Sequence, residues 1–205
     1  MHILVVDACI RDEHSRTKRL LNAAVEAAKE EAEKKGISLQ QETVSVMEEE
    51  AALLPLNLKR LQERDKLILE KQFDHPLFRF ARQFAAADGI LVAAPFWDMS
   101  YPALLKLYLE RVSVDGITFT ATDTGLLGLC HAKKMLYLST RGGFPDGNRE
   151  DAGAQNLHDL CSMYGIPEFE AVCAYGTDLP DASAVENSLR DAEQAARESA
   201  VSLLK

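Results

Sequence analysis

The chain has 205 residues, 47% of them hydrophobic and 27% charged, which indicates one globular α/β domain over residues 1–205. No apolar stretch approaches the roughly 20 residues that span a bilayer, and a formal net charge of -9 disfavours a general nucleic-acid binder, so we expect neither a membrane nor a nucleic-acid partner. Four scattered cysteines without metal-ligand spacing favour free thiols in a reducing cytoplasm and no metal site.

Five short apolar runs alternate with helical patterns, which is typical of a parallel sheet covered by helices on both faces. The runs are Ile3–Asp7, about Gln41–Val46, Gly89–Ala94, Lys134–Ser139 and Phe169–Ala174. Because crossovers between parallel strands are right-handed, the pattern predicts a doubly wound five-stranded α/β sheet with strand order 2-1-3-4-5.

The first loop follows strand 1 and leads into an amphipathic helix that is expected to stop at Gly36. Ser15, Arg16 and Thr17 lie at this junction, where free N–H groups and the helix dipole favour a phosphate. Neither GxGxxG nor GxxxxGK[ST] is present, so a monophosphate fits better than a pyrophosphate. The alternative is that Ser15 only caps the helix while Thr17 and the arginines are surface residues.

Two segments interrupt the simple alternation of strands and helices. Residues 47–75 hold an acidic run, a Leu-Leu-Pro-Leu stretch and a charged helix, and they are interpreted as an insertion after strand 2. Residues 113–132 are rich in Thr and Gly and are interpreted as an excursion before strand 4. Long ordered excursions at the ligand-bearing end of a sheet often carry function.

The loop after strand 3 has the sequence Pro95-Phe96-Trp97-Asp98-Met99, and a helix with Pro102 in its first turn follows. Such a junction exposes backbone N–H groups beside an apolar shelf, which suits a flat heterocycle with polar edges such as a flavin ring. Core packing is the alternative role for Phe96 and Trp97, but their position in a loop favours contact with a cofactor or substrate.

The loop after strand 4 contains Thr140, Arg141 and the adjacent glycines Gly142 and Gly143. Two glycines there permit positive φ and a close backbone approach to a ligand, although a plain tight turn is also compatible. Loops 1, 3 and 4 all lie at the carboxyl ends of adjacent strands, where doubly wound sheets bind ligands.

These segments together resemble the FMN-dependent NADH-azoreductase and NAD(P)H:quinone oxidoreductase family of flavodoxin-like proteins. Ser15-Arg16-Thr17 matches the family's phosphate element, Pro95–Met99 its ring loop, and Thr140–Gly143 its Ser-Arg-Gly-Gly element. The resemblance implies FMN as cofactor, NADH or NADPH as reductant, and a substrate pocket that Phe119 and Phe144 are expected to line.

Three positions depart from the family pattern. Ala8 replaces a serine of the first loop, Asp98 replaces the asparagine of the ring loop, and Ala121 replaces a tyrosine of the pocket. Asp98 would place a carboxylate near the flavin, and Ala121 predicts a different substrate preference. Reduction of azo compounds is therefore not assumed.

The leading hypothesis is an FMN oxidoreductase that passes two electrons from NAD(P)H to a quinone or a similar electrophilic aromatic by a ping-pong mechanism. No side chain is assigned as catalytic, because the cofactor carries the chemistry. The alternatives are an FMN-binding electron carrier and a regulatory subunit without FMN. A homodimer is expected, since Leu53–Leu56 and the helix around Leu105–Leu109 offer apolar surface and the resembling reductases are dimers.

Overall fold

The computed structural model describes residues 1–145 and 151–204. Within these residues, five parallel strands form a sheet in the order β2-β1-β3-β6-β7. When only the strands of this sheet are numbered, the order is 2-1-3-4-5, as predicted. The flavodoxin-like prediction is thus confirmed. The strands of this sheet are β1 (His2–Asp7), β2 (Gln40–Ser45), β3 (Gly89–Ala93), β6 (Lys134–Thr140) and β7 (Glu168–Ala174).

Helices cover both faces of this sheet, as the sequence predicts. They are α1 (Arg16–Lys35), α2 (Leu58–Leu69), α3 (Arg79–Ala86), α4 (Ala103–Val112), α5 (Ala152–Tyr164) and α6 (Ala182–Val201). Single 3₁₀ turns are formed by Asp12–His14, Glu50–Ala52, Pro76–Phe78 and Ser202–Leu204. α1 ends as expected, because Gly36 adopts φ 65° and its N–H caps the Ala32 and Glu33 carbonyls.

Alternating strand residues supply two hydrophobic cores, one on each face of the sheet. In β1, Leu4 and Val6 pack into the core that α3, α4 and α5 cover, whereas Ile3 and Val5 pack beneath α1 and α6. The central strands are buried on both faces, which explains their continuous apolar sequence. Because all five strands are parallel, their carboxyl ends meet at one edge of the sheet.

The segment 47–75 contains one 3₁₀ turn and α2. Helix α2 is held by Leu67 and Ile68, which pack against Phe78, Ala81 and Val114. Its first turns expose Leu58 and Leu61.

The segment 113–132 forms an antiparallel hairpin of β4 (Phe119–Thr122) and β5 (Gly125–Gly128). The hairpin is anchored where Gly128 meets Gly165, since a Cβ on Gly128 would lie 2.0 Å from the Gly165 nitrogen. Leu126 and Leu127 are exposed on its second strand.

The apolar surface expected on α4 is internal. Leu105 and Leu109 are fully buried in the core beneath α4, and so is Leu53 of the Leu-Leu-Pro-Leu stretch. That part of the argument for a dimer was wrong, because helical periodicity marks an apolar face without saying what covers it. No helix in the described part of the chain has the length and apolarity needed to cross a bilayer.

Candidate functional site

A cavity of about 190 Å³ opens at the carboxyl edge of the sheet. It lies between the loops that follow β1, β3, β6 and β7, so that segments distant in sequence converge on it. Its lining consists of Arg11, His14, Ser15, Arg16, Thr17, Pro95, Phe96, Trp97, Thr140, Gly142, Thr177 and Asp178. This is the switch point between β1 and β3, as expected for a ligand site of a doubly wound sheet.

The first loop brings the amino terminus of α1 to one end of the cavity. Ser15 is the N-cap, and its hydroxyl accepts a 3.4 Å bond from the Lys18 N–H. The N–H groups of Arg16 and Thr17 donate to no backbone acceptor in the part of the chain that the structure describes. Two free donors at the positive end of a helix dipole make this end of the cavity suited to an anion.

Thr17 is fully buried, so the surface alternative does not hold for this residue, although it does describe the capping role of Ser15. The Thr17 and Thr140 hydroxyl oxygens lie 2.7 Å apart, which links the first loop to the end of β6. Each hydroxyl has one proton, and only one proton is used in the bond between them. The pair therefore keeps one donor for a ligand.

Basic groups surround the same end of the cavity. Arg11 and His14 line it from the first loop, and Arg16 Nη1 donates to Asp178 Oδ1 at 2.7 Å. His14 is exposed and also lines the cavity.

An ion pair between Lys18 and the buried Asp7 supports the first loop. The Asp7 carboxylate at the end of β1 accepts hydrogen bonds from Lys18 Nζ and from the Cys9 N–H, the latter at 2.9 Å. Burial and the neighbouring Asp7 carboxylate hold the pKa of the Cys9 thiol far above its usual range. This thiol therefore stays protonated.

The loop after β3 forms a two-residue turn. Trp97 and Ser100 exchange backbone hydrogen bonds of 2.9 and 2.8 Å across Asp98 and Met99, which have φ of 48° and 68°. This is the backbone of a type I′ turn, and it presents Trp97 beside the cavity. The Phe96 N–H is already used by the Thr140 carbonyl at 3.0 Å, so the N–H groups of Phe96 and Trp97 are both engaged within the protein.

Beyond β6, Arg141 lies over the Phe96 ring, with its guanidinium carbon 4.2 Å from the ring centroid. Neither Gly142 nor Gly143 uses the positive φ that a glycine permits. Gly142 is needed for another reason, since a Cβ there would lie 2.2 Å from Asp178 Oδ2. The glycine thus permits a close approach by the loop after β7.

Eight of the fourteen predicted site residues line the cavity: Ser15, Arg16, Thr17, Pro95, Phe96, Trp97, Thr140 and Gly142. The other six lie outside its lining. Asp98, Met99, Gly143 and Phe144 are exposed, Arg141 covers Phe96, and Phe119 packs against the core. Ala8 is buried in the core, and Ala121 is exposed on β4.

Sequence reasoning missed Thr177 and Asp178. The signal available was topological: β7 is parallel to β6, so its carboxyl end had to reach the same edge of the sheet. Within residues 1–145 and 151–204, no three His, Cys, Asp or Glu side chains are grouped closely enough to hold a metal ion.

Comparison with known proteins gives the cavity a context. A family model described as a flavodoxin-like fold matches residues 1–200. The chain is 38% identical over 145 residues to FMN-dependent NADH:quinone oxidoreductase 2 of Clostridium acetobutylicum, covering 68% of this chain and 72% of that protein. It is 33% identical over 136 residues to an FMN-dependent NADH:quinone oxidoreductase of Clostridium perfringens, covering 66% of each.

Solved structures share the fold at lower sequence identity. An azoreductase from Bacillus anthracis superposes with a TM-score of 0.84 at 21% identity, over 98% of this chain and 99% of that one. An FMN-dependent NADH-azoreductase from Bacillus anthracis, solved with FMN, gives 0.70 at 20% identity over 97% and 99%.

Proposed function

The chain belongs to the flavodoxin-like family of FMN-dependent NADH:quinone oxidoreductases, and we propose that it binds FMN in the cavity at the switch point. We further propose that it passes two electrons from NADH or NADPH to a quinone or a similar electrophilic aromatic. The observation that carries the proposal is the lining of the cavity, in which an anion-binding helix terminus and an aromatic loop face the same space.

The phosphate of FMN is assigned to the amino terminus of α1. The free N–H groups of Arg16 and Thr17, the spare hydroxyl proton of the Thr17–Thr140 pair, and the cationic Arg11 together suit a phosphate monoester. Ser15 would contribute by fixing the first turn, because its hydroxyl already serves as the cap.

The isoalloxazine ring is assigned to the loop after β3. Pro95, Phe96 and Trp97 supply an apolar wall, and Arg141 holds Phe96 in place from outside the cavity. Since the N–H groups of Phe96 and Trp97 are engaged within the protein, those of Asp98 and Met99 are the loop donors proposed for the edge of the ring. The Gly142–Gly143 backbone is proposed to contact its other polar edge.

When bound, FMN would supply the redox chemistry, namely hydride acceptance at N5 and transfer of two electrons to the acceptor. The chain binds and orients the reactants, and none of its side chains has to donate a proton. A volume of about 190 Å³ is below the ~300–1,000 Å³ typical of small-molecule clefts and cavities, so part of the ligand would extend out of this cavity and leave an open face. An open face allows reductant and acceptor to bind in turn, which is the basis for proposing ping-pong kinetics.

In a homodimer, the second chain would lie beside that open face. Because Leu105 and Leu109 are internal, the proposed contact surface consists of the exposed leucines of the hairpin, Leu126 and Leu127, and of Leu54 and Leu58. The predicted substrate-pocket role of Phe119 and Phe144 remains part of this proposal. Action in the cytoplasm remains a prediction.

Anaerobic mixing of the purified protein with FMN and NADH tests the proposal and separates it from the alternatives. Bound flavin that bleaches rapidly, and is reoxidised by a quinone, is the expected result. Bound flavin that NADH and NADPH both leave oxidised would indicate an electron carrier instead. Protein that binds no flavin would indicate the regulatory alternative and would refute the proposed function.

A further inference from the structure

We propose that Asp178 sets the affinity of the cavity for the FMN phosphate, by holding Arg16 and by placing a negative charge beside the phosphate. The proposal rests on the proposed function, and it concerns how tightly and how exchangeably the cofactor is held. It predicts that removing this carboxylate strengthens binding, the opposite of what removing a ligand-contacting group does.

The position of Asp178 is fixed by its backbone. The N–H groups of Gly176, Thr177 and Asp178 donate 3.1 Å hydrogen bonds to the carbonyls of the segment 141–143. These three bonds join the loop after β7 to the loop after β6. The Asp178 carboxylate also occupies the space that a side chain at Gly142 would fill. Its presence at the cavity is therefore built into the fold.

The charges around the cavity give Asp178 its effect. Arg11, Arg16 and His14 are the basic groups of the lining, and Asp178 is the one carboxylate among the lining residues that the structure describes. Arg16 Nη1 donates to Asp178 Oδ1 at 2.7 Å. A phosphate monoester carries a charge of about -1.5 to -2 near neutral pH, so it must share Arg16 with Asp178 or displace it.

The substitution Asp178→Asn isolates this effect, because asparagine keeps the shape of aspartate and removes the charge. The variant should fold, since the side chains of Arg16 and Asp178 are 42% and 74% exposed and exposed ion pairs contribute little to stability. Its backbone hydrogen bonds do not depend on the carboxylate. We expect the affinity of the apoprotein for FMN to increase about three- to tenfold, with a smaller increase at high ionic strength.

The experiment is an FMN titration of apoprotein for the wild type, Asp178→Asn and the control Glu186→Gln. Glu186 is an exposed acid that pairs with Arg19, also between α1 and the carboxyl-terminal part of the chain, but away from the cavity lining. Riboflavin, which lacks the phosphate, is titrated in parallel and should bind Asp178→Asn and the wild type equally. In an Arg16→Gln background, Asp178→Asn should strengthen FMN binding less than it does in the wild type.

The outcomes separate this inference from the proposed function. If the wild type binds FMN and Asp178→Asn binds it equally or more weakly, Asp178 does not oppose the phosphate and the inference is wrong. An equal gain for riboflavin, or for Glu186→Gln, would also refute it, because the effect would not involve the phosphate at this cavity. Failure of the wild type to bind FMN would overturn both.

Discussion

Replacing Thr17 by valine tests whether the phosphate lies at the amino terminus of α1. Valine keeps the branched shape of threonine in a fully buried position but removes the hydroxyl that bonds Thr140 at 2.7 Å. Loss of this neutral hydrogen bond should reduce the free energy of unfolding by about 1 kcal/mol. The helix terminus and its free N–H groups should be unaffected.

The effect on FMN should be larger than the effect on stability. The Thr17–Thr140 pair has one spare proton, and a hydrogen bond to a charged group contributes about 1.5–3 kcal/mol. Every 1.4 kcal/mol is a factor of ten, so FMN affinity should decrease at least about tenfold in the Thr17→Val/Thr140→Val double variant, which has no hydroxyl proton left for the phosphate. Thr17→Val alone leaves the Thr140 hydroxyl with a free proton, so the loss in the double variant should exceed the sum of the single losses.

Quenching of FMN fluorescence gives the affinity, and urea denaturation gives the stability. Thr118→Val is the matched control, since Thr118 is also fully buried and donates to the Val112 carbonyl at 2.8 Å, outside the cavity lining. It should lose stability and keep FMN affinity. Should the Thr17→Val/Thr140→Val double variant bind FMN within about twofold of the wild type, the phosphate lies elsewhere and the assignment fails.

Three further predictions follow from packing, burial and exposed surface. Gly128→Ala should lower the free energy of unfolding by about 3 kcal/mol, because its Cβ would lie 2.0 Å from the Gly165 backbone. Gly143→Ala should change the free energy of unfolding little, because no atom lies within 4 Å of the added Cβ. Equal urea midpoints for the two variants would contradict this prediction. Burial raises the pKa of Cys161 from 9.0 to about 12. The stability that the neutral thiol contributes should therefore be fully present below about pH 9 and be lost as the pH rises toward 12. A urea midpoint that stays constant to about pH 11 under reducing conditions would refute this prediction. Leu127→Asp should convert the proposed dimer to monomers in light scattering, and an unchanged mass would exclude the hairpin from the interface.

Much of the fold could be predicted because its signals are local. The buried runs of β1, β3 and β6 and the helical periods of α1, α4 and α6 can be identified in short windows, and the handedness of crossovers then leaves one favoured topology. The site was found to the extent that its residues adjoin these strands. Thr177 and Asp178 were missed because the sequence around them has no motif, and their role depends on hydrogen bonds to the segment 141–143 that no local pattern encodes.

The apolar face of α4 shows what the sequence of a single helix does not determine. Leu105 and Leu109 have the spacing of a packed surface, and the sequence alone allowed that surface to be either core or interface. Packing against the sheet places these leucines in the core, and exposed apolar residues lie instead on the hairpin, on α2 and on several loops. Burial is a property of the whole fold, so the surface available to a partner could not be obtained from the period of one helix.

The turn after β3 contains residue types that are unfavourable for its backbone conformation. A two-residue turn with positive φ at both central positions favours Asn-Gly, yet this chain has Asp98 and Met99, and Met99 at 68° is strained by its side chain. Strain of this kind costs on the order of 1–3 kcal/mol and persists only where the surrounding structure fixes the backbone. Here the two Trp97–Ser100 hydrogen bonds do so, and they hold Trp97 beside the cavity. Natural proteins often keep such unfavourable local conformations at functional sites, at a cost in stability. The strained turn beside the cavity is therefore consistent with a binding site there.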